Sequence, residues 1–199
     1  MPEKAKVILV TDGDSSSRSV MEAVAAELGL RCISASAGNP TPVSADRLIA
    51  LFKQAPDRPL LVMVDDRGDP GKGKGERVME QLAAHPDITV LGVLAVASDA
   101  AGQGARADFC INRQGEKQRS AVDKNGCPLP VDDGVIRGDT LSILDALRLP
   151  LVIGIGDIGK MNRADSVSQG APVTRRAIME ILKRSDAFHG AGTENRKRS

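Results

Sequence analysis

Acidic side chains follow two strongly apolar runs of the sequence, and their type and spacing suit the binding of a cation. Asp12 and Asp14 come after the run KVILVT, and Asp65 and Asp66 come directly after the run LLVMV. Ligands of open α/β sheets bind outside the carboxyl ends of the strands, so we expect these carboxylates to meet at one edge. Crowded carboxylates repel each other, and a hard cation such as Mg²⁺ or Ca²⁺ relieves the repulsion. The sequence therefore predicts a metal site formed by Asp12, Asp14, Asp65 and Asp66. The same residues are also typical caps of the helices that follow, and the sequence leaves both roles open.

A loop rich in glycine and lysine, GKGKG, follows the second acidic cluster. Glycines allow successive backbone N–H groups to face an anion, and lysines add positive charge. The spacing does not fit a Walker A loop. The alternative is a flexible loop that folds over the sheet or contacts a partner. The prediction is an anion-binding loop composed of Gly71, Lys72, Gly73, Lys74 and Gly75.

Other motifs that carry chemistry are weak. The segment GIGDIG at residues 154–159 matches the dinucleotide-binding pattern, but a tight turn after a strand explains its glycines without a cofactor. His85 and His189 have neither the spacing of a zinc site nor the context of a catalytic triad. Balanced charge and only three phenylalanines argue against nucleic-acid binding. Calcium or magnesium is the one cofactor that the sequence suggests.

The composition is that of a globular protein with an aliphatic core. The chain has 199 residues, of which 41% are hydrophobic and 27% charged, and it contains no Trp or Tyr. Its three cysteines form no C-x-x-C pair, which favours reduced, buried thiols. We expect no signal peptide, and no apolar run approaches the roughly 20 residues of a spanning helix. Residues 1–159 carry 18 Lys and Arg against 22 Asp and Glu, whereas residues 160–199 carry 9 against 4. The basic end is expected to face an acidic partner, an anionic membrane surface or another subunit.

Alternating strand and helix signals position the candidate residues. Apolar runs are followed by a turn or loop and then by residues with helical spacing, three times in succession, which is typical of crossovers in a parallel sheet. We predict an α/β fold with a three-layer, open, mainly parallel sheet of the Rossmann-like or toprim-like kind. The prediction includes one domain over residues 1–188 and a disordered basic tail over residues 189–199.

The middle of the chain departs from this alternation. Residues 106–137 show short polar–apolar alternations with turns at 114–115 and 125–126, and they predict a small antiparallel hairpin insertion. A helix capped by Asp139 or Thr140 is predicted to continue to about residue 147.

Several blocks of the sequence resemble the stage V sporulation protein AE family of spore-forming Firmicutes. The blocks are VILVTDGD near the start, RCISASAGNPT, LVMVDDRGDPGKGKGE, HPDITVLGVLAVAS and the later AVDKNG. They occur in the family's order over most of residues 6–185 and resemble the soluble member rather than the membrane-spanning one. The resemblance transfers no catalytic residue to this chain.

The resemblance implies a soluble, non-enzymatic accessory subunit of the apparatus that moves dipicolinic acid with calcium into the developing spore and releases it at germination. It implies partners among the other stage V sporulation transport proteins, with dipicolinate as a candidate ligand. It also implies a place in the forespore cytosol or at the periphery of the spore inner membrane, where partner proteins hold the chain.

A rival hypothesis comes from the acidic residues themselves. Carboxylates at the ends of two strands are similar to those of the toprim fold, which hold Mg²⁺ for phosphoryl transfer. The sequence departs from that pattern, because Asp12 stands where a Glu base is expected. The second cluster is Asp65-Asp66 with Asp69 rather than Asp-x-Asp. A magnesium-dependent phosphotransferase or nuclease therefore remains the alternative function.

Overall fold

Nine strands and four α-helices alternate along the parts of the chain that the structure, a computed structural model, describes. These parts are residues 3–54, 58–66, 72–99, 104–131, 133–138 and 140–185. The strands are β1 (Ala5–Val10), β2 (Arg31–Cys32), β3 (Leu60–Met63), β4 (Ile88–Val96), β5 (Ala105–Arg106), β6 (Phe109–Ile111), β7 (Lys117–Gln118), β8 (Val135–Ile136) and β9 (Val152–Ile155). The helices are α1 (Ser15–Leu28), α2 (Ala45–Phe52), α3 (Lys74–Ala84) and α4 (Pro172–Arg184).

Seven of these strands form one sheet in the order β2-β3-β1-β4-β9-β6-β7. Neighbours pair in parallel except at the edge, where β7 runs antiparallel to β6. Strands β5 and β8 form a separate antiparallel pair. The predicted α/β fold with a mainly parallel sheet and a small antiparallel insertion is confirmed.

Apolar side chains on both faces of the sheet hold three layers together. Ile8 and Val10 of β1 belong to a buried cluster that includes side chains of α1 and α4. Val7 and Leu9 of the same strand belong to a second cluster, which includes side chains of α2 and α3. Because helices cover both faces, β1 is a continuous apolar run rather than an alternation of apolar and polar residues.

The hairpin insertion is confirmed, and it is also joined to the main sheet. Strand β6 turns back into antiparallel β7, and an antiparallel bridge between Val122 and Pro128 spans the turn at 125–126. Strand β6 also pairs in parallel with β9, so that Cys110 lies opposite Gly154. A Cβ atom at Gly154 would clash with the sulfur of Cys110, so this close pairing requires glycine.

The helix predicted from residue 139 or 140 to residue 147 is wrong. The described residues in this stretch form a single 3₁₀ turn, Leu144–Ala146. Thr140 has a left-handed backbone with φ of 61°. A helix N-cap needs extended backbone, so Thr140 cannot begin a helix in this conformation. Leu141 and Leu144 are nevertheless buried, which accounts for the apolar spacing in the sequence.

Two predicted features fall on parts of the chain that the structure does not describe. The tail over residues 189–199 and the loop residues 67–71 lie outside the described ranges. The domain boundary at residue 188 stays a prediction. Within the described ranges, the helices are too short or too polar to cross a membrane.

Candidate functional site

The order of the strands reverses at β1, which lies between β3 and β4. Such a reversal leaves a crevice outside the carboxyl ends of the strands, where ligands of open α/β sheets bind. Thr11, which directly follows β1, links β1 to β4 at this point. Its backbone N–H donates to the Leu94 carbonyl at 3.0 Å, and its Oγ1 accepts from the Val96 N–H at 2.9 Å. Asp12 is the next residue and therefore lies at the crevice.

Asp12 is partly buried, and other carboxylates surround it. Burial raises the pKa of Asp12 to about 7, and the negative charge of Asp14 acts in the same direction. The charges of Asp65 and Asp157 make smaller contributions of the same sign to this pKa. The N–H of Asp14 donates to Asp12 Oδ1 at 3.4 Å, and this hydrogen bond lowers the pKa of Asp12 in part. Asp12 can therefore exchange its proton near neutral pH.

Asp65 ties the loop after β1 to the loops beside it. Its Oδ2 accepts the N–H of Gly13 at 3.1 Å. Its backbone N–H donates to Thr41 Oγ1 at 2.8 Å, and its carbonyl accepts the Thr41 N–H at 2.9 Å. The Asp65 side chain is buried, and it has a structural role whether or not it binds a cation.

Asp66 caps the start of α3. Its two carboxylate oxygens accept the N–H groups of Gly75 and Glu76, the latter at 3.0 Å. The start of α3 can pack this closely against residues 65 and 66 because residue 75 is glycine. An added Cβ there would lie 2.6 Å from the carbonyl oxygen of Asp65. A Cβ at Gly73 would clash with the Asp66 side chain itself. The N–H groups at the start of α3 therefore face a carboxyl group of the same chain.

The lysines of this loop point to other partners. Lys72 pairs with Glu80 of α3, and Lys74 Nζ donates to the carbonyl of Pro42 at 3.0 Å. Gly71 lies outside the described residues. The geometry thus gives no support to an external anion at residues 71–75, and that role stays a prediction.

Asp14 links the start of α1 to the loop after β9. Its Oδ1 accepts the N–H of Ser17 at 2.8 Å and caps α1, and its Oδ2 accepts from Lys160 Nζ at 2.9 Å. Burial raises the pKa of Asp14, but these two donors outweigh burial and lower that pKa below its ordinary value. Lys160 also contacts Asp157 Oδ2 at 3.1 Å. Burial lowers the pKa of Lys160, but the hydrogen bonds to the two carboxylates outweigh it and raise that pKa above its ordinary value.

The four predicted metal ligands, Asp12, Asp14, Asp65 and Asp66, are here called the acidic cluster. Among the described residues, no group of three or more His, Cys, Asp or Glu side chains is arranged to hold a metal ion. Asp69 lies outside those residues. The helix-capping role that the sequence left open is observed for Asp14 and Asp66, whereas the metal site stays a prediction.

A cleft of about 490 Å³ opens beside the acidic cluster, beyond the end of β9. We call it the basic pocket, because three cationic side chains and one carboxylate line it. Asn and Ser side chains and a short strained loop complete the wall. Its lining residues are Lys124, Asn125, Asp157, Gly159, Lys160, Met161, Asn162, Arg163 and Ser166.

The basic pocket forms where the hairpin insertion touches the loop after β9. The N–H of Asp157 donates to the Lys124 carbonyl at 2.7 Å. A Cβ at Gly156 would lie 2.6 Å from the Gly126 nitrogen and 2.8 Å from that same carbonyl. The glycines of GIGDIG thus permit close packing between two segments, in agreement with the cofactor-free explanation.

Sequence reasoning missed the cations of the pocket and the carboxylate that anchors it. Lys124 lies beside the predicted turn at 125–126 and Lys160 directly follows GIGDIG, but no motif marks either residue as part of a ligand site. Asp165 is fully buried, and burial raises its pKa. It accepts N–H groups from Gly159 at 3.2 Å and from Val173 at 2.9 Å. Asp165 lies seven residues before the start of α4, and a cap at that distance has no sequence pattern that would reveal it.

One comparison with known proteins identifies the family. The family model described as stage V sporulation protein AE1 matches residues 6–185. No curated protein and no solved structure shows significant similarity to the chain. The matched range contains every described strand and helix except the first residue of β1. The chain therefore belongs to the stage V sporulation protein AE1 family.

Proposed function

We propose that this protein is a non-enzymatic accessory subunit of the system that moves calcium dipicolinate across the spore inner membrane. It acts together with other stage V sporulation transport proteins. Its place is the forespore cytosol or the periphery of the spore inner membrane, to which those partners hold it. Membership of the stage V sporulation protein AE1 family supports the role in sporulation.

The observation that carries the non-enzymatic part of the proposal is the internal use of the acidic cluster. Asp66 offers its two carboxylate oxygens to the N–H groups at the start of α3. Asp14 divides its oxygens between α1 and Lys160. A metal-dependent phosphoryl-transfer site needs carboxylates that face the ion and the substrate. Two of the four predicted ligands are instead used to hold the fold together.

A magnesium-dependent phosphotransferase or nuclease is the second candidate. One observation favours it: Asp12 lies at the strand-order reversal close to Asp65, and its pKa of about 7 suits a general base. We rank it below the accessory role because the partners of Asp14 and Asp66 leave fewer oxygens for a metal.

The enzymatic alternative is tested with the purified chain, Mg²⁺ or Mn²⁺, and phosphate-ester and nucleic-acid substrates. The proposal predicts no turnover that depends on the protein. The matched variant is Asp65→Asn, which keeps the size of the side chain. Turnover by the wild type that Asp65→Asn abolishes would establish the enzyme instead.

The transport role is tested in a spore-forming host that carries this gene. Removing the gene is expected to lower the calcium dipicolinate content of mature spores, and the wild-type gene is expected to restore it. A membrane-fraction assay for the tagged protein, with and without its neighbouring stage V proteins, tests recruitment. Spores with normal dipicolinate content and normal release would exclude the transport role.

A further inference from the structure

The side chains that line the basic pocket carry more positive than negative charges. Three of its side chains, Lys124, Lys160 and Arg163, carry positive charge, whereas Asp157 is the one carboxylate among them. The volume of about 490 Å³ lies within the range of sites for small organic ligands. The side chains of Asn125 and of neighbouring polar residues can donate further hydrogen bonds.

Lys160 is held in place as a fixed charge. Its ammonium lies 2.9 Å from Asp14 Oδ2 and 3.1 Å from Asp157 Oδ2, on the wall between the pocket and α1. These contacts keep the ammonium charged and restrict its position. A fixed cation loses little conformational freedom when an anion arrives.

Lys124 and Arg163 have more capacity for a ligand. Lys124 lies at the tip of the hairpin insertion and has one carboxylate partner, the exposed Asp99. Arg163 is exposed, and it forms no ion pair with a carboxylate of the described residues. A guanidinium presents a planar fork of N–H donors that matches the oxygens of a carboxylate or a phosphate.

The backbone of the pocket wall is strained. Met161, Asn162 and Arg163 have φ of 45°, 53° and 71°, which is the left-handed region that L-residues other than Asn and Asp rarely adopt. These residues form one 3₁₀ turn, and the N–H of the next residue, Ala164, donates to the Met161 carbonyl at 3.1 Å.

Buried contacts hold this strained segment from both sides. Before it, Gly159 donates to Asp165 Oδ2, and after it, Asp165 Oδ1 accepts from the first turn of α4. Thr174 Oγ1 also donates to Asp165, at 2.6 Å. Strain that the surrounding fold maintains occurs most often at binding and catalytic sites.

We propose that the basic pocket is a binding site for a small organic anion that carries carboxylate or phosphate oxygens. Arg163 and Lys124 contact the oxygens directly. Lys160 supplies a fixed positive charge behind them. This assignment concerns the pocket alone and does not depend on the transport role.

The test is isothermal titration of the full chain at low ionic strength with two probes, inorganic phosphate and citrate. We expect wild-type protein to bind at least one probe, and the preferred probe distinguishes phosphate from carboxylate chemistry. Arg163→Gln and Lys124→Gln are expected to weaken that binding tenfold or more. The matched control is Lys72→Gln, which removes one exposed positive charge outside the pocket and is expected to leave binding within twofold.

Two results would overturn the proposal. One is the failure of both probes to bind the wild type. The other is equal weakening by Lys72→Gln and Arg163→Gln, which would show general charge attraction rather than a site. Thermal unfolding of each variant confirms that the fold is intact, and Arg163 is suitable because its side chain is exposed.

Discussion

The acidic cluster and the basic pocket lie at the same edge of the sheet, but they use their charges differently. In the acidic cluster, carboxylates meet N–H groups of the chain: Asp66 meets the start of α3, and Asp65 meets Gly13. In the basic pocket, the exposed Arg163 and Lys124 line the cleft, and Arg163 has no ion pair with a carboxylate of the described residues. A conspicuous acidic motif can therefore have a structural role. The residues of the basic pocket, by contrast, are far apart in the sequence and come together only in the folded chain.

Lys160 connects the two regions. It contacts Asp14 and Asp157, and the charges of these two carboxylates both act on Asp12.

The first prediction is that Asp12→Asn stabilises the protein above neutral pH. The folded state raises the pKa of Asp12 from 3.8 to about 7, so the native state holds its proton more tightly than the unfolded state. Stability therefore falls as the pH rises from about 4 to 7, and the penalty is complete above pH 7. At pH 8 we expect Asp12→Asn to gain about 4 kcal/mol, with no gain at pH 3.5.

Urea unfolding at the two pH values measures this effect. Asp87→Asn is the control, because Asp87 lies in an exposed turn. A variant at Asp12 that is less stable than wild type at pH 8 would show that the ionised carboxylate has a stabilising partner, such as a cation.

The second prediction concerns the capping role of Asp66. Asp66→Ala removes the acceptor of two N–H groups at the start of α3, and we expect a loss of about 2 kcal/mol. For a chain of this size that corresponds to a fall in Tm of roughly 4–8 °C. Asp66→Asn retains one acceptor oxygen and should lose less. An unchanged Tm for Asp66→Ala would remove the capping explanation and reopen the metal site.

The third prediction is that Arg163→Gly stabilises the fold while it weakens anion binding. Glycine adopts a φ of 71° without the steric cost that arginine has there, and we expect a gain of about 1 kcal/mol. The same change deletes the guanidinium of the pocket. Urea unfolding and phosphate or citrate titration together measure the two effects. Loss of stability would show that the arginine side chain has a structural contact instead.

The fourth prediction concerns the glycine-rich loop. Lys72→Ala removes an exposed ion pair with Glu80, and such pairs contribute little, so stability should change by less than about 0.5 kcal/mol. Glu80→Ala should behave in the same way in thermal unfolding. A larger change, or a loss of anion binding in Lys72→Ala, would return the anion site to the loop of residues 71–75.

The sequence was sufficient to predict the framework. Strand β3 and most of β1 and β4 are apolar runs because helices cover both of their faces, and such a run can be recognised in a short stretch of sequence. The wrong prediction of a helix over residues 139–147 could not be avoided from the sequence. The left-handed backbone at Thr140 is set by contacts in the folded chain and leaves no signal in the sequence. Apolar spacing alone does not report such a conformation.

The basic pocket could not be predicted because its two halves meet through pairing across the sheet. Lys124 reaches the end of β9 only when β6 pairs with β9 and Gly156 admits the hairpin turn. The acidic residues showed the opposite problem. Aspartates at the ends of strands suit both a metal and a helix N-terminus, and only the positions of the N–H groups of α1 and α3 distinguish these roles.

The most direct test of the comparison is a two-dimensional NMR titration of the ¹⁵N-labelled chain, first with citrate or phosphate and then with Mg²⁺ or Ca²⁺. We predict that the anion shifts the amide signals of residues 124–126 and 159–166, while signals of residues 72–76 stay in place. We predict only small shifts with the cation at residues 12–14 and 65–66. The opposite pattern, with saturable cation shifts at the acidic cluster and none in the pocket, would contradict this account.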